Sequence, residues 1–447
     1  MTKRLLSVTV AAALLVGTSY AVHAVTTTSA QRSPHAPAAP VASGTEDTVG
    51  VGAETARLIR AYEVVAHNHH DEGVDVMLGS LYLQRGRFTG DLGTYRQALA
   101  AATDAARLAP RDPATRTLLA AAEFALHDWT GARQAAEQAL ALDAGQQNAA
   151  AVLGDSDLET GQYADAARIY QRLASTVSGS ASLVARQARL AWVTGDIDEG
   201  RRLAETAVRL APDNGASGAT LAFYSVLASQ LAIDAGDYAA ALQAGRRAVT
   251  AAPSWHVAIA AEAKALAAAG NLRGAIRDYQ RAAAIVPLPE YLGALGDLLS
   301  IQGRADAAAQ QYATVEAITR IASSQRDVYN RQLVVFAADH GRGAATAVRM
   351  ARAELATRKD AAGYDALAWA LHAAGRDGEA RLYSDRALAV STVDPRFEWH
   401  AAAIAAALGQ RARSVTLLAH LLAQSPRFDP LQARRAAALL QKLRSAR

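Results

Sequence analysis

The residues best suited to metal chemistry are bunched in "HNHHDE" at 67–72, where His67, His69, His70, Asp71 and Glu72 follow one another almost without interruption. Imidazoles and carboxylates gathered this closely have the ligand chemistry of a zinc or nickel site. The surrounding pattern, however, places the run at a turn between two helices, where solvated polar residues belong. The expectation is therefore no bound metal, with His67, His69, His70 and Asp71 as the candidates if there were one. Other chemistry is hard to find. The sequence has no Gly-rich loop ending in Gly-Lys-Ser/Thr, no His-Glu-x-x-His and no Gly-x-Ser-x-Gly. It contains no cysteine, which excludes disulfides, thiolate metal sites and cysteine nucleophiles. These absences point to a protein that is not an enzyme and carries no cofactor.

The elements that position such residues follow from composition and spacing. Hydrophobic residues make up 51% of the 447, yet only 6% are aromatic, so alanine supplies much of the apolar content. Alanine, leucine, arginine and glutamate favour helices, and β-branched and aromatic residues are sparse over long stretches. Many thin helices packed closely suit this composition better than one thick core, and the chain reads as all-α. The formal net charge of +4 is small for this length, and the bias of basic residues toward arginine reads as genome composition. No nucleic-acid partner is expected.

At the N-terminus, Lys3 and Arg4 precede the apolar run "LLSVTVAAALLVG", and "VHA" ends at Ala24. A short positive segment, an apolar core and a small-residue site describe a signal peptide over 1–24. Left uncleaved, the same segment would be a signal anchor and the one route to the membrane. Either way the chain is read as exported, to the outer face of the cytoplasmic membrane or beyond. Residues 25–53 are rich in Pro, Ala, Ser, Thr and Gly and read as a disordered linker.

The rest is periodic. Pro253 and Pro287 are 34 residues apart, and Pro110 and Pro212 are 102 apart, three times that spacing. Glycines repeat the period independently: Gly161 to Gly195, Gly236 to Gly270, Gly341 to Gly375 and Gly375 to Gly409 are each 34 residues. Each glycine is expected to end one helix in a left-handed turn, and each proline to stop the next. Small residues recur five positions after the turn glycine, from Ala132 and Ala166 through Ala275 to Thr346, Ala380 and Ser414. Others precede it, among them Gly79, Gly154 and Gly296. Matched small residues let two antiparallel helices approach closely. Ten such units are expected, with first helices opening near 72, 113, 147, 181, 222, 256, 289, 327, 361 and 395. His127 takes the glycine position in one of them. Two insertions, 87–93 and 213–219, read as longer loops or extra helical turns.

These residues resemble the tetratricopeptide repeat. "LGSLYLQRG" at 78–86 matches its first-helix signature, and "GNLRGAIRDYQRAAAIVP" at 270–287 matches Gly, Ala, Tyr, Ala and Pro in order. The resemblance covers about 54–447 and implies an α-solenoid superhelix of about ten helix–turn–helix repeats over 54–428. Residues 429–447 read as a capping helix. It also implies that the concave face binds a protein or peptide. The inward first-helix positions are expected to be Phe124, Asp155, Arg189, Trp192, Phe223, Gln230, Lys264, Asp297, Arg331, Asp365, Trp369 and Trp399. Some members of the family clamp a terminal carboxylate with Lys and Asn. Thr117, Ala121, Ala151 and Asp155 stand in the corresponding places, so that use is not expected.

The function read from all this is a non-enzymatic scaffold or adaptor of the bacterial envelope. Two alternatives stand beside it. The chain could serve as an accessory subunit of an envelope enzyme or polysaccharide-export assembly. Or the basic C-terminal helix, with Arg434, Arg435, Lys442, Arg444 and Arg447, could bind a membrane or an acidic partner. The oligomeric state is left open.

Overall fold

The computed structural model describes residues 48–68, 71–216, 218–324, 331–390 and 394–445. The signal segment 1–24, most of the 25–53 linker, His69, His70, Arg447 and the helix start expected near 327 lie outside them. Among the described residues all regular elements are helices, 22 in number, so the chain is an all-α solenoid.

A leading helix, α1 (Thr48–Asn68), is followed by antiparallel pairs in chain order. They are α2 (Glu72–Thr89) with α3 (Leu92–Leu108), α4 (Pro113–Ala125) with α5 (Trp129–Leu142), and α6 (Gln147–Glu159) with α7 (Tyr163–Thr176). Next come α8 (Ala181–Val193) with α9 (Ile197–Leu210), and α10 (Gly218–Asp234) with α11 (Tyr238–Ala251). The second half pairs α12 (His256–Ala268) with α13 (Leu272–Ile285), and α14 (Pro289–Ile301) with α15 (Ala305–Ser324). It ends with α16 (Arg331–Asp339) and α17 (Ala344–Thr357), α18 (Ala361–Ala373) and α19 (Asp377–Ala389), and α20 (Pro395–Ala407) and α21 (Arg411–Gln424). The closing helix is α22 (Gln432–Ser445). None of the described helices is long and apolar enough to cross a membrane.

The turn chemistry fits the periodic sites. Gly161, Gly195, Gly236, Gly270, Gly303, Gly341, Gly375 and Gly409 all have φ between +62° and +100°, and His127 joins them at 63° as the one non-glycine. Pro110, Pro212, Pro253 and Pro287 each stand two residues beyond the end of a second helix. Ala132, Ala166, Ala241, Ala275 and Ala380 are completely buried between helices. At Gly154 a Cβ would lie 2.6 Å from the ring of Tyr170, so only glycine lets that ring seat. Ser229 and Ser414 bridge their pairs by donating to the carbonyls of Ala241 and Ala402 at 2.9 and 2.8 Å.

Four local readings are corrected. Gly86 does not end a helix: α2 runs on to Thr89, and Gly90 takes the left-handed position with φ 66°. The insertion at 87–93 thus adds a helical turn, and Tyr95 packs its ring against Gly86. In the α16–α17 unit both Gly341 and Gly343 are left-handed, which moves the register by one residue. Ala347, 1% exposed, fills the close contact there in place of Thr346. The first helix expected near 222 begins at Gly218, again an added turn, and α1 begins at Thr48, inside the stretch read as linker.

The largest departure is global. The stack does not leave an open trough, because it winds tightly enough for successive superhelical turns to touch. Arg358 donates from Nε to the Glu159 carbonyl at 3.1 Å, across 199 residues. The Ala361 N–H reaches the Tyr163 hydroxyl at 3.1 Å across 198 residues, just under six 34-residue units. A second clasp lies one side over. Ser425 donates to the Asp234 carbonyl at 2.7 Å, and the Arg427 N–H donates to the Tyr238 hydroxyl at 2.8 Å. At the N-terminal end the extra turn of α2 joins in: Phe88 packs into the cluster of Phe223, Ala252 and Trp255.

Candidate functional site

Eight of the expected inward residues form a ladder on two register positions of successive first helices: Asp155, Arg189, Gln230, Lys264 and Asp297 stand six residues before the turn glycine, and Arg331, Asp365 and Trp399 stand ten before it, one helical turn earlier. Arg189, Lys264, Asp297, Arg331 and Asp365 line the interior of the winding. The winding brings the rungs together, and most are engaged with one another or with neighbouring units. Asp155, fully buried, accepts from Arg186 Nε at 2.9 Å and from the Tyr170 hydroxyl at 2.7 Å. Arg189 donates to Glu159 at 2.7 Å. Lys264 Nζ donates to Gln230 at 2.8 Å, and Gln230 passes its own amide N–H to Asp234 at 2.8 Å. Asp297 accepts from the Tyr312 hydroxyl at 2.7 Å and pairs with His340 at 2.8 Å. Arg331 forks onto Asp360 at 2.8 and 3.0 Å and reaches Glu354 at 2.6 Å. Asp365 pairs with His400 at 2.8 Å.

The aromatic positions are buried rather than displayed. Phe124 has no exposed surface and meets Trp129 edge-on at 4.8 Å. Phe223 is 7% exposed. Trp369 and Trp399, each 5% exposed, donate their indole N–H groups to Asp339 at 2.9 Å and Gln432 at 3.1 Å. Trp369 also stacks on His400 at 4.1 Å. Trp192 is half-buried, and its indole nitrogen is buried without a hydrogen-bond partner. As free anchors for a partner, Phe124, Phe223, Trp369 and Trp399 are therefore spent on the protein's own packing. Packing within a hairpin and between neighbouring units is the reason.

What remains is a chamber within the winding, with two ends that share part of their lining. One end is a cavity of about 130 Å³ between α10, α12, α14, α16, α20 and the 428–432 loop. The other, of about 90 Å³, lies between α8, α16, α18 and α20. Gln332, Val335, Asp394, Arg396 and His400 line both. Six carboxylates face the larger end: Asp234, Glu290, Asp297, Asp339, Asp394 and Asp429, against the permanent cations Lys264 and Arg396. Burial pushes Asp234 up to about 7, with the Asp394 charge adding to it. Burial likewise pushes Asp339 up to about 6. It raises Glu290 and Asp429 as well. The smaller end is richer in arginine, with Arg189, Arg331, Arg358 and Arg396. There burial would raise Asp360, but Arg331 and Arg358 hold it below its ordinary value.

No group of three or more His, Cys, Asp or Glu able to hold a metal ion comes together among the described residues, and His69 and His70, two of the four candidates, lie outside them. Asp71 caps α2, accepting from the Gly73 N–H at 2.7 Å, and His67 is exposed. The sequence reading missed the residues that close the superhelix. Gly161-Gln162-Tyr163 and Gly236-Asp237-Tyr238 are the same Gly-x-Tyr turn, and each tyrosine receives a backbone N–H from the next superhelical turn. His127-Asp128-Trp129 is a third version, with Arg358 over the Trp129 ring at 5.4 Å. An aromatic two residues past a turn glycine was the available signal.

No protein-family model and no curated protein sequence matches the chain. Solved structures do. The human IFIT1 dimer with PPP-AAAA is 16% identical, covers 77% of this chain and 80% of its own, and gives a TM-score of 0.50. The APC/C hetero-tetramer Cut9-Hcn1 is 16% identical over 88% of this chain and 94% of its own, with a TM-score of 0.32. Yeast Tom70 is 12% identical over 89% and 95%, with a TM-score of 0.37. At these identities only the fold is shared, and the last two scores are too low to weigh. The chain has a tetratricopeptide-like helical-repeat fold, wound closed around an inner chamber.

Proposed function

We propose that the chain is a non-enzymatic scaffold, acting outside the cytoplasmic membrane, that holds a protein or peptide guest at the mouth of the inner chamber. The observation that carries this reading is the chamber itself. It draws its wall from helices far apart in sequence, and Lys264, Glu290, Asp297, Gln332 and Pro430 keep partial exposure, so it opens to solvent. Among the described residues no serine, threonine or cysteine lines either end. Its Asp–His pairs therefore have no seryl, threonyl or cysteinyl nucleophile among them to activate, and both ring nitrogens of His340 are engaged. The carboxylate lining also supports a guest other than nucleic acid, since it repels phosphate.

A photo-crosslinker placed at Pro430, on the rim, tests the reading in cells of the native host. The expected result is an adduct with an extracytoplasmic protein that disappears when Ala294→Trp fills the chamber from α14. Adducts unchanged by the block, or none at all, would refute a guest at this mouth. Mass spectrometry of the mature N-terminus checks export: cleavage after Ala24 is the expected product.

A further inference from the structure

The six carboxylates of the larger chamber end are not equivalent. Four are committed. Asp297 holds Tyr312 and His340, Asp339 holds Trp369, Asp394 pairs with Arg396, and Asp429 accepts the Leu431 and Gln432 N–H groups at 2.9 and 2.8 Å. Two are not. Asp234, 9% exposed, uses Oδ1 for Gln230, while its Oδ2 is buried without a hydrogen-bond partner. Glu290 Oε2, from α14, is buried without one as well. Both residues line the chamber. The resident ammonium donates to neither, because Lys264 Nζ is turned onto Gln230 Oε1; its charge and that of Arg396 act on both carboxyls only through space.

A buried carboxylate oxygen with no donor is costly, and the group lowers the cost by taking up a proton or a cation. The upward shift of both carboxyls, from burial and, at Asp234, from Asp394, is the first of these responses. A metal ion is a poor candidate for the second, since no group of three His, Cys, Asp or Glu ligands comes together among the described residues. Two free oxygens on separate helices suit a group with several N–H donors instead. Behind them, Ala267, Ala294, Leu298, Val335 and Phe336 provide an apolar wall for a stem. The 130 Å³ volume is close to that of the engineered cavity of about 150 Å³ that takes benzene, so the guest group is small.

We propose that this end of the chamber binds a primary ammonium on a short alkyl stem, with Asp234 and Glu290 as its ion-pair acceptors. The assignment deepens the scaffold reading, on which it rests, by naming what the guest inserts. Such an ammonium is carried either by a free alkylamine or by a lysine side chain of a protein guest.

Calorimetric titration of the full chain with n-butylammonium, n-butyrate and N-acetyl-lysine methylamide tests it. The expected result is one-site binding of butylammonium and none of butyrate. Affinity should rise roughly five-fold from pH 6 to 7 and level off above pH 8, because the cation displaces a proton that Asp234 gives up near pH 7. The Asp234→Asn/Glu290→Gln variant, which removes charge without volume, should bind at least roughly ten-fold more weakly with unchanged circular dichroism. Ala294→Trp should abolish binding by occlusion. Binding of acetyl-lysine methylamide alongside butylammonium assigns the site to a side chain, and binding of butylammonium alone assigns it to a free amine. No butylammonium binding at pH 8, or equal binding by wild type and the double variant, would overturn the proposal. A Pro430 adduct that persists in that case leaves the scaffold reading standing; its absence removes that reading separately.

Discussion

Glu159→Ala is expected to destabilise the protein by about 3–5 kcal/mol and to expand it, more than any other single loss of charge in the winding. Glu159 is 2% exposed and sits between Arg189 and Arg358, whose side chains are 4% and 7% exposed. One carboxylate oxygen takes Arg189 at 2.7 Å and the other takes Arg358. Removing it leaves guanidinium charge buried with too little to balance it. Glu354 and Asp360 already share Arg331 with Arg358. Arg358 also belongs to the following superhelical turn, so the lost pair is one that holds the spiral shut. Denaturant unfolding measures the first effect, and small-angle scattering measures the second as a larger radius of gyration. Glu205→Ala is the control. Its partner Arg247 lies 2.7 Å away, but the two side chains are 41% and 34% exposed, and solvent screening limits the loss to about 1 kcal/mol or less. Equal losses in the two variants, or an unchanged radius for Glu159→Ala, would mean that the turns are not held by this clasp.

The second large effect separates glycines that look alike in sequence. Gly161, Gly236, Gly375 and Gly409 all carry positive φ, and alanine at any of them should lose about 1–2 kcal/mol to left-handed strain. Around Gly375 and Gly409 nothing lies within 4 Å of an added Cβ. At Gly161 that Cβ would sit 2.5 Å from the Lys359 carbonyl oxygen, and at Gly236 it would strike the Gln424 carbonyl. Backbone of the next superhelical turn cannot rotate away as a side chain tip can. Overlap there should add about 1–3 kcal/mol. Gly161→Ala and Gly236→Ala are thus expected to unfold well before Gly375→Ala and Gly409→Ala in the same urea series. Four matching midpoints would show that the turns do not touch.

Much of this molecule is written locally. The 34-residue period placed eight first-helix starts at the residues where the helices begin, and His127 stood out as the one side chain in a left-handed turn. Gly154 is glycine because Tyr170 lies across it, a contact fifteen or sixteen residues away within one hairpin. Where the sequence reading slipped by a residue or a turn, as at Gly86 and Thr346, an insertion or a second glycine had shifted the register inside one unit.

The candidate site was legible only as a set of positions. Of the ladder, Arg189, Lys264, Asp297, Arg331 and Asp365 line the chamber, but spacing alone leaves open whether such a side chain meets solvent, a guest or another rung. That depends on the rotation between neighbouring units. About 60° at each junction, set by side-chain volumes, accumulates over just under six units to a full turn, so that Tyr163 meets Ala361 and Glu159 meets Arg358. The amino-acid sequence by itself determined the helices, their turns and their pairing, because those contacts reach at most one unit along the chain. Tertiary structure decided the closed winding and the two carboxylates left unanswered in the chamber, because each depends on a sum over many junctions that no single repeat contains.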